Sequence, residues 1–196
     1  MQPLLGGIVY TYQLDKWKIS WESDEKYRHW CLQEHSSNTD IALVVMFNPG
    51  SLSGDGANLR TDTTLRILRE VFCDTGLNPL VVNLFDFATP KINELYQHWS
   101  QRDKGKCVYS LLPYEKIRIV VYAYGDYENK DKHTSDVKER IRSVRSLLAE
   151  IPEIIVASNR SGTPKHPMNW QREGIKSNAQ QLVRDFYRSR LATAST

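Results

Sequence analysis

The chain is poor in cysteine. Cys31, Cys73 and Cys107 lie far apart in 196 residues and form no Cys-x-x-Cys pair. Neither a disulfide framework nor a zinc knuckle is expected, and a reduced cytoplasmic protein is the default. Long apolar runs are missing as well, with none near the roughly 20 residues that span a bilayer. Met1 to Gly7 has neither a basic start nor a long apolar stretch, so it does not read as a secretory signal. Several catalytic signatures are absent: the P-loop, Gly-x-Gly-x-x-Gly after the first apolar strand, His-Glu-x-x-His, Gly-x-Ser-x-Gly, and His-x-Glu with Pro-Cys-x-x-Cys. Their absence argues against nucleoside triphosphatases, Rossmann dehydrogenases, common hydrolases and zinc deaminases. No metal site or cofactor is expected.

Charge of one sign is also scarce, with a formal excess of only +3. Its distribution is uneven. Arg160, Lys165, Arg172, Lys176, Arg184, Arg188 and Arg190 stand against Glu173 and Asp185, a local excess of five near the end of the chain. A basic surface beside a site suits a phosphate-bearing substrate, although a solvated helix face has the same composition.

The size fits one domain with a real core. Residues 8–13 and 17–21 alternate and are joined by Leu14-Asp15-Lys16, which predicts an antiparallel hairpin. Tyr27 to Leu32 is compatible with a strand or a helical turn. Ile41 to Phe47, Val81 to Phe87, Ile117 to Ala123 and Ile154 to Ala157 are apolar and β-branched, as buried parallel strands are. Asp62 reads as the cap of a helix whose apolar face is Leu65, Leu68 and Phe72, widened by Ile67 and Val71. Two short helices are expected around Leu95, Trp99 and Val108 to Leu112. A further helix is expected over residues 137–150 and a last one over 177–191, with a frayed tail at 192–196. The expectation is a single α/β domain over 1–196, with a β addition at 1–35.

Each apolar run leads into a polar motif. The first leads to Asn48-Pro49-Gly50-Ser51 and the second carries Asn83 and Asp86. The third ends at Tyr124-Gly125-Asp126, and the fourth precedes Gly162-Thr163-Pro164-Lys165-His166-Pro167. In an open parallel sheet, ligands bind beyond the carboxyl ends of the strands, so four such motifs should meet in one place.

Proline and glycine after Asn48 fix its backbone, so its amide can orient a water or bind a polar ring edge. Ser51 and Ser53, with nearby N–H groups, could cradle a phosphate. Asn83 sits in an apolar strand, where a buried amide must be hydrogen-bonded and can match the edge of a nucleobase. His166 between prolines can donate to an oxygen that becomes negative, and Lys165 can meet a phosphate. Asp126 could be a base or a recognition acceptor, and Asp55, Asp62 and Asp86 are further acids. Tyr124, Phe87 and Trp170 could stack on a base.

The motif set Phe47-Asn48-Pro49-Gly50-Ser51, Asp62-Thr63-Thr64, Val82-Asn83-Leu84-Phe85, Tyr124-Gly125 and Gly162 to Pro167 resembles a bacterial and phage family labelled as a domain of unknown function. The resemblance covers roughly Tyr27 to Trp170. That family in turn is similar to the uracil-DNA glycosylase superfamily. This likeness implies a three-layer α/β fold with a four-stranded parallel central sheet, here with an N-terminal antiparallel β addition.

It also implies roles. Asn48 would position the attacking water and His166 would stabilise the departing base, with Asp126 as a third catalytic candidate. Phe47, Asn83, Asp86 and Tyr124 would bind the base. Ser51, Lys165, Asn169 and Arg172 would meet DNA phosphate. Two positions depart from the superfamily pattern: Met46 stands where glycine is usual, and Met168 where serine is usual. The phosphate contact of that serine would pass to Lys165, Asn169 or Arg172.

Such an enzyme flips a nucleotide out of the stack and needs no cofactor. With Asn48 as a weak base, departure of the pyrimidine must lead. The expected activity is excision of a modified pyrimidine from DNA, for example glucosylated hydroxymethylcytosine in phage DNA, in anti-phage defence. DNA is then the partner, with no membrane. Two alternatives compete: an N-glycosidase of free nucleotides or nucleosides, and a non-catalytic module that recognises modified bases.

Overall fold

In β4 (Ile41–Met46) all six residues are buried, and the pleat sends alternate side chains to opposite faces of the sheet. Leu43, Val45 and the following Phe47 feed one core, together with Leu80, Val82, Val120 and Tyr122. Ala42, Val44 and Met46 feed the other, with Val81, Ile119 and Val121. A strand apolar on both sides belongs in the middle of a sheet covered on both faces.

The computed structural model describes residues 1–24, 26–35, 39–50, 62–103, 108–129 and 132–194; the side chains of 193 and 194 are left aside. Among these residues the sheet has seven strands: β1 (Ile8–Leu14), β2 (Trp17–Asp24), β3 (Tyr27–Glu34), β4, β5 (Asn78–Asn83), β6 (Ile117–Tyr122) and β7 (Glu153–Ile154). Their spatial order is β1-β2-β3-β5-β4-β6-β7. β1, β2 and β3 pair antiparallel, and β3 joins β5 antiparallel. β4 pairs in parallel with both β5 and β6, and β6 with β7. The result is a mixed α/β sheet.

One face carries α1 (Thr63–Phe72), α4 (Pro167–Arg172) and α5 (Lys176–Ala194), through Leu65, Phe72, Trp170, Ala179 and Val183. The other carries α3 (Thr134–Leu147), through Val137, Ile141 and Val144. α2 (Ile92–Gln97) adds Leu95 to that core. No helix among the described residues is long and apolar enough to cross a membrane.

Three details differ from the sequence reading. Tyr27 to Leu32 is a strand, because Trp30, Cys31 and Leu32 pair with Val82, Val81 and Leu80. The last parallel strand is only Glu153–Ile154, so Val156 and Ala157 already belong to the loop leading to His166. Of the two short helices expected after β5, only the first, Ile92–Gln97, is α-helical; Trp99–Gln101 and Val108–Leu111 are 3-10 turns.

The N-terminal segment is tied down by one buried acid. Glu22 on β2 accepts from the backbone N–H groups of Leu4, Leu5 and Gly7 at 2.7, 2.9 and 2.9 Å, and from the Trp30 indole at 2.6 Å. Burial alone would raise its acid, but these donors outweigh burial and hold the carboxyl below its ordinary value.

Candidate functional site

The parallel register sets the site. Met46 is the partner of Asn83 across β4 and β5. The ladder continues beyond the strands, with Leu84 N–H donating to Met46 O at 2.8 Å and Phe85 N–H to Phe47 O at 3.0 Å. Asn48 therefore emerges two residues past Asn83's partner. Both amides, together with His166 from the loop after β7, line one pocket of about 240 Å³. Its apolar floor includes Met46, Leu65 and Val81, and its polar wall includes Arg28, Asp62, Thr64 and Thr89.

Asn48 is held by two carbonyls. Its Nδ2 donates to Thr89 O at 2.8 Å and to Pro49 O at 3.0 Å. Two acceptors on one side fix which end of the amide is NH₂, so Oδ1 is the atom left to hold a ligand or a water. Thr89 N–H returns a bond to Pro49 O at 2.9 Å, which bolts the Asn48-Pro49 turn to the chain after β5.

Asn83 is 5 % exposed, and its Oδ1 is buried with no hydrogen-bond partner among the described residues. Its own carbonyl accepts from the Tyr109 hydroxyl at 3.0 Å, which braces the strand end. A buried acceptor without a donor is costly, by about 1–3 kcal/mol. A ligand that brings a donor relieves that cost.

His166 caps α4, with Pro167 as the first helical residue. Its Nδ1 accepts from Met168 N–H at 3.3 Å. Burial pushes its pKa down to about 4; the field of Asp62 opposes this and that of Arg172 adds to it. The ring is therefore neutral at physiological pH. With Nδ1 as acceptor, the proton sits on Nε2 as a donor.

The loop carrying His166 is held by Asp126. Asp126 Oδ1 accepts from Ser161 Oγ at 2.6 Å, Thr163 Oγ1 at 2.9 Å and Asn129 Nδ2 at 3.0 Å. Asp126 does not line the pocket. Its carboxylate ties the segment after β6 to the segment before His166.

Other expected residues are placed elsewhere. Phe47 and Tyr124 are buried in the core, at 2 % exposure each, and do not line the pocket. Phe47 instead forms the backing of Tyr127, stacked at 4.1 Å and 23°. Asp86 is taken by His29, whose Nδ1 is 2.7 Å from Asp86 Oδ2. Lys165 Nζ pairs with Glu173. Asn169 lies in α4, its N–H donating to His166 O at 2.8 Å. Arg172 is exposed. None of these lines the pocket. Ser51, Ser53 and Asp55 lie outside the described residues.

The structure adds residues that the sequence reading missed. Tyr127 lines the pocket in place of Tyr124. Gly125 makes this possible: its φ is +81°, and a Cβ there would meet the Tyr127 ring at 3.3 Å. Burial pushes the Tyr127 phenol up, so its hydroxyl stays a donor. Arg28 is 4 % exposed and sits at the start of β3. Because β3 runs antiparallel to β5, its beginning falls beside the carboxyl end of β5. Asp62 is the expected helix cap, with Oδ1 accepting from Leu65 N–H at 3.0 Å, and it also faces the pocket.

The basic segment is a correction. Tyr187 of α5 hydrogen-bonds to Asp40, just before β4 begins. α5 therefore carries its last residues to the opposite edge of the sheet, taking Arg188 and Arg190 away from the pocket. Lys176 pairs with Glu70. Only Arg160, Lys165 and Arg172 stay on segments flanking His166.

Among the described residues no group of three His, Cys, Asp or Glu side chains is placed to hold a metal ion. A match to a family profile covers residues 27–168, and the family is described as a protein of unknown function (DUF1643). The match spans most of the chain, which belongs to this family. No curated protein matches the chain.

Proposed function

We propose that this protein is a monofunctional DNA glycosylase that hydrolyses the N-glycosidic bond of a modified pyrimidine and leaves an abasic site. The observation that carries the reading is the meeting of Asn48, Asn83 and His166, from three separate strand ends, in one pocket. The parallel pairing of β5, β4, β6 and β7 supports a fold of uracil-DNA glycosylase type.

The chemistry follows from the three side chains. The flipped base enters with its polar edge against Asn83, whose Oδ1 lacks a donor. The C1′–N1 bond breaks and its electron pair leaves with the base. His166, neutral, donates from Nε2 to the base oxygen on which that charge gathers. A water held by Asn48 Oδ1 adds to C1′, and its proton passes to solvent or to the departing base. A neutral donor stabilises an anion without first protonating it, so the enzyme suits a base that already leaves well. Arg172 and Arg160, both exposed, are the cations this reading assigns to DNA phosphate. Anti-phage defence and a cytoplasmic location belong to the same proposal.

The test is incubation with phage DNAs of different pyrimidine modification, followed by alkali and mass spectrometry of the released base. Release of one modified base, lost in His166→Ala, is the expected result. Release from free nucleotides but not DNA would favour a nucleotide N-glycosidase, and tight binding without release would favour a recognition module.

A further inference from the structure

Asn48, Asn83 and His166 leave two charged groups of the pocket unused. Arg28 is 4 % exposed, and its Nη1 is buried without a hydrogen-bond partner among the described residues. The nearest carboxylate is Asp62, whose Oδ2 lies 3.9 Å from Nη1. That is longer than a direct N–H···O bond, which spans about 2.7–3.2 Å. Asp62 Oδ1 is already committed to Leu65 N–H at 3.0 Å. A guanidinium N–H and a carboxylate oxygen of the pocket lining thus face each other without a direct hydrogen bond.

That separation holds no atom on the line between them, but an oxygen set beside the pair can bridge it once the two side chains part slightly. It can accept from Nη1 and donate to Oδ2 through two bonds of ordinary length. The pair is neutral as a unit, so an anion attracted by Arg28 is repelled by Asp62. A methyl group satisfies neither partner. A hydroxyl satisfies both, because the same atom is donor and acceptor. A bound water has the same bonding capacity, and that makes the idea testable.

We propose that Arg28 and Asp62 together read a hydroxyl carried by the substituent of the pyrimidine, which makes them the specificity-determining pair of the pocket. The proposal rests on the pocket being a pyrimidine site and adds the substrate class: hydroxylated rather than methylated or unsubstituted bases. An analogue lacking the hydroxyl leaves both charged groups unpaired, which is a strong basis for rejection.

The probes are duplexes with one 2′-fluoroarabino nucleotide, which resists N-glycosidic hydrolysis, bearing either 5-methyl- or 5-hydroxymethylcytosine. A matching pair carries thymine or 5-hydroxymethyluracil. Anisotropy titration at fixed salt gives the affinity ratio of hydroxymethyl to methyl within each pair. The wild type should prefer hydroxymethyl by at least about tenfold in one pair. Arg28→Met and Asp62→Asn should each bring that ratio to within about twofold. Asn is a competent helix cap, so Asp62→Asn decides the matter even if Arg28→Met does not fold. No preference in the wild type, or a preference that survives Asp62→Asn, overturns the proposal and leaves the pair to a water. Cleavage of the unfluorinated duplexes is measured in parallel. Cleavage without hydroxyl preference sinks the proposal and spares the glycosylase reading. Preference without cleavage does the reverse, and no binding to any duplex overturns both.

Discussion

The two edges of the parallel strands are built to opposite rules. At the amino edge the polar groups close on one another. Asp40 accepts from Arg118 Nε at 2.9 Å and from the Tyr187 hydroxyl. Asn78 Oδ1 accepts from His35 N–H at 3.0 Å, and Asn78 N–H donates to Asp40 O at 2.9 Å. At the carboxyl edge, Asn83 Oδ1 and Arg28 Nη1 are buried without a hydrogen-bond partner among the described residues. Buried polar groups are nearly always satisfied. The polar groups of the amino edge make it a seam, whereas the open acceptor of Asn83 belongs to a residue lining the pocket.

Variants at the open edge should break chemistry far more than they weaken the fold. His166→Ala and Asn48→Ala should each lower single-turnover base release by about 100- to 1000-fold, the usual cost of losing one stabilising donor or its counterpart. Asn48→Ala also leaves the Thr89 and Pro49 carbonyls without their donor, and His166→Ala removes a helix cap, so each should cost about 1–3 kcal/mol of stability; normal release in both variants would erase the contrast.

The closed edge should behave the other way. Asp40→Ala removes the acceptor of two side chains and should cost about 1–3 kcal/mol in a urea unfolding series, with release rates close to wild type. Glu22→Ala, away from both edges, leaves four donors without their acceptor and should cost at least as much. The pH dependence sharpens this. Glu22's carboxyl titrates below its ordinary value when folded, so its stabilisation is full above about pH 4.5 and is lost as pH falls through the folded value.

His166 gives the edge a separate pH signature. Its pKa is lowered to about 4, so the donor is neutral across the physiological range. Release rates should be flat from about pH 6 to 8 and change only as pH approaches 4. A rate that rises on acidification through pH 6.5 would mean a protonated His166 and a different mechanism. The smallest expected effect concerns charge. Arg188→Ala with Arg190→Ala should leave the salt dependence of DNA binding unchanged, whereas Arg172→Ala should reduce its slope by about one.

Much of this was legible in the chain. Apolar β-branched runs marked β4, β5 and β6, because burial on both faces writes an uninterrupted pattern. Asn48 and His166 stood out through the prolines beside them, and Asn83 as an amide inside an apolar strand. What was not legible depended on pairing at a distance. Nothing around Arg28 says that β3 will run antiparallel to β5 and begin beside Asn83. Tyr124 looked like the better aromatic because it adjoins the strand. Strand alternation instead sends Tyr122 and Tyr124 into the same core, and the positive φ of Gly125 returns Tyr127 to the pocket. Asp86 and Asp126 looked like candidate acids, yet Asp86 Oδ2 meets His29 and Asp126 Oδ1 meets Ser161 and Thr163, partners that lie far away in the sequence. The basic cluster was real in composition, but α5 carries part of it to the wrong edge.

The antiparallel β3 changes what can be cut away. The family match begins at residue 27, where β3 starts, so β1 and β2 fall outside it while Arg28 falls inside. A shortened or transplanted form of this scaffold that discards residues 1–35 as ornament would remove a wall of the pocket along with the hairpin. The boundary that respects the chemistry lies before Tyr27. It comes with a debt, because Glu22, just upstream, is the acceptor for the Trp30 indole. An engineer who trims there has to give that indole a new partner.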